Sequence, residues 1–156
     1  MIKFSITRLQ KEPIELVGVE SPGFLELGDD EQFAVVSDVS YDLAAQCVSG
    51  NALVSGFVRV TIEGSCGRCL EKVRREISTE KLQLLFPLEG IADELDISED
   101  VRSEMLLALP MNLLCREDCA GLCPVCGVNR NQKKCRCHEK PSGSLAWSAL
   151  DDLKLE

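Results

Sequence analysis

The sequence contains few aromatic residues and few side chains suited to acid–base catalysis. Phe, Trp and Tyr together make up 4% of the chain, and His138 is its single histidine. A mechanism that needs a histidine base would have to use this one residue. No nucleophile–base pair, phosphate loop or small-molecule site is evident in the pattern, and no aromatic platform offers stacking for single-stranded bases. These absences favour a protein that is not an enzyme.

An excess of basic residues and long apolar runs are also missing. The chain has 26 acidic and 17 basic residues and a net charge of -9, which argues against coating nucleic acid or an anionic membrane with the whole surface. No apolar run approaches the roughly 18 to 20 residues that span a bilayer. The first residues, Met1 to Ile6, alternate and are too short for a signal-peptide core. We therefore expect a cytoplasmic protein without a membrane partner.

The chain is long enough to fold around its own core. Its 156 residues are 45% apolar and 28% charged, a composition typical of a globular domain that needs no disulfides. We expect a β-rich core in residues 1–110 and a cysteine-rich, metal-binding segment in residues 111–156 that packs on it.

Alternating apolar and polar side chains predict an α+β fold whose core is an antiparallel β-meander. Within the last predicted strand the apolar parity shifts by one residue, which indicates a bulge near Glu80 and Lys81. Ser49, Gly50 and Asn51 supply a turn. The predicted strands cover residues 2–9, 15–19, 35–43, 58–63 and 70–86.

Two stretches have helical spacing. Ser98 can begin a helix with Glu99 and Asp100 in its favourable first turn, and the apolar spacing continues to residue 109, before a proline. A second, short amphipathic helix is predicted within residues 144–155.

Nine cysteines dominate the chemistry of the sequence. In a chain without an export signal, closely spaced cysteines more often bind metal or react than form disulfides. The strongest signal is Cys123-Pro-Val-Cys126, because two thiolates two residues apart can bind one metal ion. Gly127 follows and permits the positive φ that such a turn often needs.

A closed tetrahedral zinc site needs four ligands, so this pair needs partners. Cys135 and Cys137 lie downstream and complete the ligand set that we favour. Cys115 and Cys119 lie upstream and form the alternative, alone or in a mixed set. His138 follows the downstream pair and could replace one thiolate.

A further pair, Cys66 and Cys69, falls in a predicted hairpin turn. It could join Cys115 and Cys119 in a second zinc site, act as a redox pair, or be an ordinary turn. A strand is predicted to follow, so the thiol lacks a helix N-terminus to lower its pKa. Cys47 falls in a predicted strand and is expected in the core.

Basic residues concentrate beside the cysteines, and together they could form a phosphate-binding face on an acidic protein. Arg74 and Arg75 are adjacent in a predicted strand and point to opposite sides, so only one can join the face. Ordinary solvated surface is the competing interpretation. The residues predicted to bind RNA or a partner are Arg130, Lys133, Lys134, Arg136, Arg74 and Arg75.

Two blocks resemble the YceD-like family, also called large ribosomal RNA subunit accumulation proteins. Residues 57–70 read FVRVTIEGSCGRCL, and residues 107–127 contain LALPM followed by CREDCAGLCPVCG. The resemblance implies a bacterial or plastid protein that supports accumulation of large-subunit ribosomal RNA, without a known catalytic activity. Its expected partner is that RNA or an assembling ribosomal protein. The alternatives are a thiol redox protein that uses Cys66 and Cys69, or a zinc-dependent interaction module.

Overall fold

The structure is a computed structural model, and it describes residues 1–28, 32–79, 81–90 and 93–137. Within these ranges most of the elements are antiparallel strands, and two helices and one turn of 3-10 helix (Pro22–Leu25) accompany them. In chain order they are β1 (Lys3–Ser5), α1 (Ile6–Leu9), β2 (Ile14–Glu20), β3 (Phe33–Val35), β4 (Val39–Val48), β5 (Asn51–Ser65), β6 (Lys72–Ser78), β7 (Leu82–Pro87), β8 (Glu94–Asp96) and α2 (Ser98–Ala108).

The long strand β5 organises the main sheet. On one side it pairs first with β4 and then with the short β3, and on the other side first with β7 and then with β6. Strand β2 adds to the far side of β4, and β1 and β8 form a separate two-stranded ribbon. All of these pairings are antiparallel, so the predicted α+β fold with an antiparallel core is confirmed.

The predicted change of parity near Glu80 and Lys81 corresponds to one extra residue between β6 and β7. Ser78 of β6 lies opposite Arg59 and Leu82 of β7 lies opposite Gly56. The four-residue step from Ser78 to Leu82 therefore matches a three-residue step along β5. The extra residue moves the apolar side chains of β7 to the other parity and keeps them facing the core.

The core lies between one face of the sheet and α2. Alternate residues of β5, Val54, Val58, Val60 and Ile62, are almost fully buried. Helix α2 buries Val101 and Met105 against this layer, as the predicted helix over 98–109 requires.

Two local expectations are wrong. The alternation in residues 2–9 predicted a strand throughout, but the chain becomes helical after Ser5 because the Ser5 hydroxyl accepts from Arg8 N and Asp93 O accepts from Ile6 N. Cys47 is exposed and not in the core, because it lies close to the turn that joins β4 and β5.

Residues after α2 contain no helix or strand up to residue 137, apart from a single bridge between Leu122 and Asn129. The predicted helix within residues 144–155 lies outside the described residues. Within the described part of the chain, no helix has the length and apolar character needed to cross a membrane.

Candidate metal centre

Both C-x-x-C pairs fold into the same local turn. After the second cysteine, Leu70 and Gly127 have φ angles of 62° and 71°. Their N–H groups donate to the carbonyls of the first cysteines, Cys66 at 2.9 Å and Cys123 at 2.8 Å. Gly127 has the positive φ that was predicted, and Leu70 also has a positive φ although its side chain disfavours that conformation. The two C-x-x-C turns, each called a knuckle, therefore share the same backbone conformation.

The first cluster joins two distant parts of the chain. Cys66 and Cys69 follow the end of β5, whereas Cys115 and Cys119 lie beyond α2. The four Sγ atoms nevertheless lie within 4.8 Å of one another. Cys66 Sγ is 3.9 Å from Cys119 Sγ, and Cys69 Sγ is 3.6 Å from Cys115 Sγ. Four thiolates around zinc at about 2.3 Å would be separated by about 3.8 Å. The first cluster fits a tetrahedral metal ion.

Backbone hydrogen bonds hold the first knuckle against the segment beyond α2. Gly67 N donates to Leu113 O at 2.8 Å, and Leu122 N donates to Arg68 O at 3.0 Å. The Arg68 guanidinium donates to the carbonyls of Glu117 and Cys119. Hydrogen bonds within the protein thus hold the two cysteine pairs of the first cluster against each other.

Burial opposes ionisation of Cys66 and Cys119 in the first cluster, but hydrogen bonds outweigh it and lower the pKa of both thiols. At Cys66 burial is outweighed by backbone N–H groups, first that of Arg68, which lower the pKa of its thiol to about 6. The backbone N–H of Glu71 lowers the pKa of Cys69, but burial and the neighbouring thiols outweigh it and raise that pKa to about 12. The sequence did not indicate the low pKa of Cys66, because turn amides and not a helix N-terminus produce it.

The second cluster is the ligand set that the sequence favours. Cys123, Cys126, Cys135 and Cys137 bring their Sγ atoms within 4.8 Å of one another. The backbone N–H groups of Cys126 and Val125 lower the pKa of Cys123 to about 6. The Cys126 side chain, followed by burial, raises the pKa of Cys137 to about 12.

The cysteines of the two clusters differ in how far they are exposed to solvent. In the first, Cys66, Cys69 and Cys119 are buried, whereas in the second only Cys123 is buried and Cys126 is exposed. Cys115 and Cys119 belong to the first cluster, so they do not complete the second. His138, considered as a replacement ligand, lies outside the described residues.

Asn131 connects the clusters, although no pattern in the sequence singles it out. It lies in the loop between Cys126 and Cys135, yet its Nδ2 donates to Cys119 Sγ of the first cluster at 3.2 Å. Its Oδ1 accepts from Ala120 N and from the Arg116 guanidinium, both at 2.8 Å. An isolated asparagine in a polar loop carries no sequence signal for this role, because the contact depends on the tertiary fold.

A second polar bridge runs from the first knuckle to the same loop. Glu71 follows Cys69, and its Oε1 accepts hydrogen bonds from Asn129 Nδ2 at 3.1 Å and from Gln132 Nε2. The loop of the second cluster is therefore fastened to the β5–β6 hairpin as well as to Cys119.

Replacing Asn131 with alanine is expected to weaken metal binding at the first cluster, although Asn131 is not a ligand. Groups that hydrogen-bond to metal ligands typically contribute 10- to 100-fold to affinity. Competition with a chromogenic chelator measures the loss. Gln132→Ala is the matched control, because Gln132 contacts Glu71 and no cysteine sulfur. Equal affinities for both variants would contradict the role of Asn131.

The basic residues predicted beside the cysteines are exposed around the second cluster. Lys133, Lys134 and Arg136 are exposed, and Arg130 and Lys134 line a concavity with Cys123, Cys135 and Cys137. Among the described residues, no ion pair involves Lys133, Lys134 or Arg136.

The adjacent arginines of β6 separate as predicted. Arg74 pairs with Glu63 of β5, and Arg75 Nη2 donates to Leu114 O at 3.4 Å. Arg75 is thus the one directed to the cysteine-rich segment.

Known proteins are similar to the part of the chain that contains the cysteine-rich segment. Residues 86–154 match the family described as "Large ribosomal RNA subunit accumulation protein YceD". The "Large ribosomal RNA subunit accumulation protein YCED homolog 1, chloroplastic" of Arabidopsis thaliana is 38% identical over 63 residues, which cover 39% of this chain and 19% of that protein.

Longer matches come from mycobacteria. An uncharacterized protein of Mycobacterium tuberculosis H37Rv is 29% identical in an alignment of 129 positions that covers 74% of this chain and 56% of that protein. An uncharacterized protein of Mycobacterium leprae is 24% identical in an alignment of 171 positions that covers 97% of this chain and 77% of that protein. The chain thus spans little more than half the length of the M. tuberculosis relative. No solved structure matches. Residues 86–154, which contain the later cysteine block at residues 107–127, are thus similar to the YceD family, whereas the earlier block at residues 57–70 lies outside the range that the family matches.

Proposed function

We propose that the protein is a non-enzymatic, cytoplasmic factor of a bacterial cell that supports accumulation of large-subunit ribosomal RNA. We further propose that each cysteine cluster holds one structural zinc ion. The family description and the name of the Arabidopsis relative support the role in RNA accumulation. The proposed partner of the cysteine-rich segment is the large-subunit RNA, with an assembling ribosomal protein as the alternative.

The donor set supports zinc. Four thiolates in a tetrahedron suit zinc or iron, and zinc adds no redox chemistry to a site that ties segments together. All four ligands of each site come from the protein, which is the closed coordination of a structural ion and leaves no position for a catalytic water. Elemental analysis of protein purified without chelator identifies the metal.

One observation carries the proposed RNA contact. Lys133, Lys134 and Arg136 are exposed on a loop between the ligands of the second cluster, and Asn131 anchors the same loop to the first. A loop fixed at several points loses little conformational entropy when it binds. Its lysines and arginine can therefore contact phosphate at low cost, while the negative charge of the whole chain keeps binding modest and dependent on salt.

Replacing Lys133 and Lys134 with alanine is expected to weaken association with a large-subunit ribosomal RNA transcript and to reduce its salt dependence. Each lost phosphate contact lowers the slope of log K against log salt by roughly 0.7 to 0.9. Adding Arg136→Ala lowers the slope further. Filter binding over a salt series measures both quantities.

The matched control replaces Lys11 and Lys81, two exposed lysines outside the cysteine-rich segment. This variant makes the same change in net charge, so a general electrostatic effect would weaken both proteins equally. A slope unchanged by Lys133→Ala and Lys134→Ala would remove this loop from RNA binding and leave the ribosomal-protein alternative.

The low pKa of Cys66 is the one observation that favours a thiol redox protein. Against this alternative, Cys66 is 0% exposed and lies among three other thiols, where it is better placed to bind metal than to meet a substrate. Rapid alkylation of Cys66 in metal-loaded protein at neutral pH would restore the redox interpretation.

A further inference from the structure

Residues 119–131 form a short hairpin, called the connecting hairpin, that runs from one cysteine cluster to the other. It begins at Cys119 of the first cluster and reaches Cys123 of the second after three intervening residues. Its arms are joined by the isolated bridge of this segment and by Cys123 N, which donates to Val128 O at 2.8 Å. The first cluster therefore lies at the open end of the hairpin, and the second lies at its turn.

Asn131 closes the open end of the connecting hairpin. Across the hairpin its Oδ1 accepts from Ala120 N at 2.8 Å, and its Nδ2 donates to Cys119 Sγ at 3.2 Å. In the sequence, Asn131 lies in the loop that Cys126 and Cys135 of the second cluster enclose. A side chain that belongs to the loop of the second cluster therefore contacts a sulfur of the first.

The connecting hairpin is ordered in part by the metal ions. An isolated two-stranded hairpin is at best marginally stable in water, and the described residues from the end of α2 to residue 137 form no further strand or helix to extend it. An ion in either cluster fixes one end of the hairpin, and it thereby removes part of the entropy cost of ordering the other end. Filling one cluster thus prepares the other.

The hydrogen bond from Asn131 to Cys119 adds a second link. A metal-bound cysteine is a thiolate, and a hydrogen bond to an ionised acceptor is roughly twice as strong as one between neutral groups. An ion in the first cluster therefore strengthens the bond to Asn131. An ion in the second cluster holds Asn131 where it can make this bond, so both effects have the same sign.

We propose that the two clusters bind their metal ions cooperatively, and that the connecting hairpin and Asn131 carry the coupling. An ion in the second cluster raises the affinity of the first, and by thermodynamic reciprocity an ion in the first raises the affinity of the second by the same factor. We expect a factor of about 5 to 100, the range typical of coupled sites and of groups that contact metal ligands. This deepens the proposed function and rests on its two metal sites, and not on the RNA contact.

The test is a double-mutant cycle on the full chain, prepared without metal under reducing conditions and titrated with zinc against a chromogenic chelator. Cys135→Ser with Cys137→Ser disables the second cluster and leaves all four cysteines of the first in place. Asn131→Asp keeps an oxygen that accepts from Ala120 N and from the Arg116 guanidinium, but it cannot donate to Cys119 Sγ. It therefore removes the contact with the sulfur and retains the anchor of the loop.

Asn131→Asp is expected to cost more affinity when the second cluster is intact. Its effect on the overall affinity for two ions in the intact chain should exceed its effect on the affinity for one ion in the chain without the second cluster, by about fivefold or more. The comparison holds whichever cluster fills first, because the overall affinity contains the coupling in either order. Equal losses in the two backgrounds would overturn the proposal.

Lys133→Ala is the matched control, because Lys133 is an exposed residue of the same loop. Its effect on metal affinity is expected to be the same in both backgrounds. An excess loss for Lys133→Ala as large as that for Asn131→Asp would overturn the assignment of the coupling to Asn131.

Cadmium-113 NMR supplies a readout that does not depend on the stability of the fold. Groups that hydrogen-bond to a metal ligand change the electronic environment of the metal. The resonance of cadmium in the first cluster is therefore expected to differ between the two-ion chain and the Cys135 and Cys137 variant, and Asn131→Asp is expected to remove most of this difference. Identical resonances in the two-ion chain and the variant would overturn the proposal.

Failure of the two-site proposal and failure of the coupling give different results. A single ion per intact chain in excess zinc would contradict the second structural site, and the coupling would fall with it. Two ions per chain together with equal losses in the two backgrounds would leave both sites in place and remove only the coupling.

Discussion

Replacing Cys66 and Cys69 with serine is expected to remove one of two metal equivalents and to destabilise the whole domain. The first cluster joins residues that are 46 to 53 positions apart in the chain. Cross-linking a loop of about 50 residues restricts the unfolded chain by about 4 kcal/mol in the loop-closure model for disulfides, and a metal link restricts it in the same way. The variant loses this restriction and leaves the buried Cys119 with one of its three partner thiols, Cys115.

The matched control replaces Cys123 and Cys126, the same residues of the equivalent knuckle. The second cluster closes only the short loop from residue 123 to 137, and none of its ligands belongs to a strand of the main sheet. This variant is expected to lose the other metal equivalent and the hydrogen-exchange protection of that loop, while protection in β4 and β5 persists.

Elemental analysis, urea unfolding and hydrogen exchange together check this pair of variants. The expected pattern is one metal equivalent in each variant and a large loss of unfolding free energy in the first variant alone. Equal losses of unfolding free energy in both variants would contradict the proposal that only the first cluster stabilises the whole domain. A wild-type protein with a single metal equivalent would contradict the two-site proposal itself.

The features that were predicted correctly from the sequence are those that depend on residues close together in the chain. Alternation located β2, β4 and β5, the change of parity located the extra residue between β6 and β7, and close spacing grouped Cys123 and Cys126 with Cys135 and Cys137. In each case the signal and the structure lie within one stretch of chain, where side-chain period or loop length determines the geometry.

What depends on distant residues was left open or missed. The grouping of Cys66 and Cys69 with Cys115 and Cys119 was one of three alternatives. The sequence could not select it, because the grouping requires the end of β5 and the segment after α2 to lie side by side in the folded protein. Local alternation gave the wrong result after Ser5, because its helical turn is completed by Asp93 from far along the chain. Asn131 was missed for the same reason.

Replacing Gly56 with alanine is expected to destabilise the protein strongly, because β4 approaches the backbone of β5 closely at this residue. Gly56 has a φ of 151° and lies opposite Leu43 on one side and Leu82 on the other. A Cβ atom there would lie 2.1 Å from Asp42 O and 2.8 Å from Leu43 Cα. These are backbone atoms of the adjacent strand, which cannot withdraw without breaking the ladder between β4 and β5.

Backbone strain and overpacking together should cost roughly 3 kcal/mol or more. Gly50→Ala is the matched control, because Gly50 also has a positive φ but has no atom within 4 Å of the added Cβ, so its cost should be about 1 kcal/mol. Urea unfolding compares the two variants. The same strand leads directly into Cys66, so the Gly56 variant should also weaken metal retention. Equal stability of the two variants would contradict the close approach of β4 to β5.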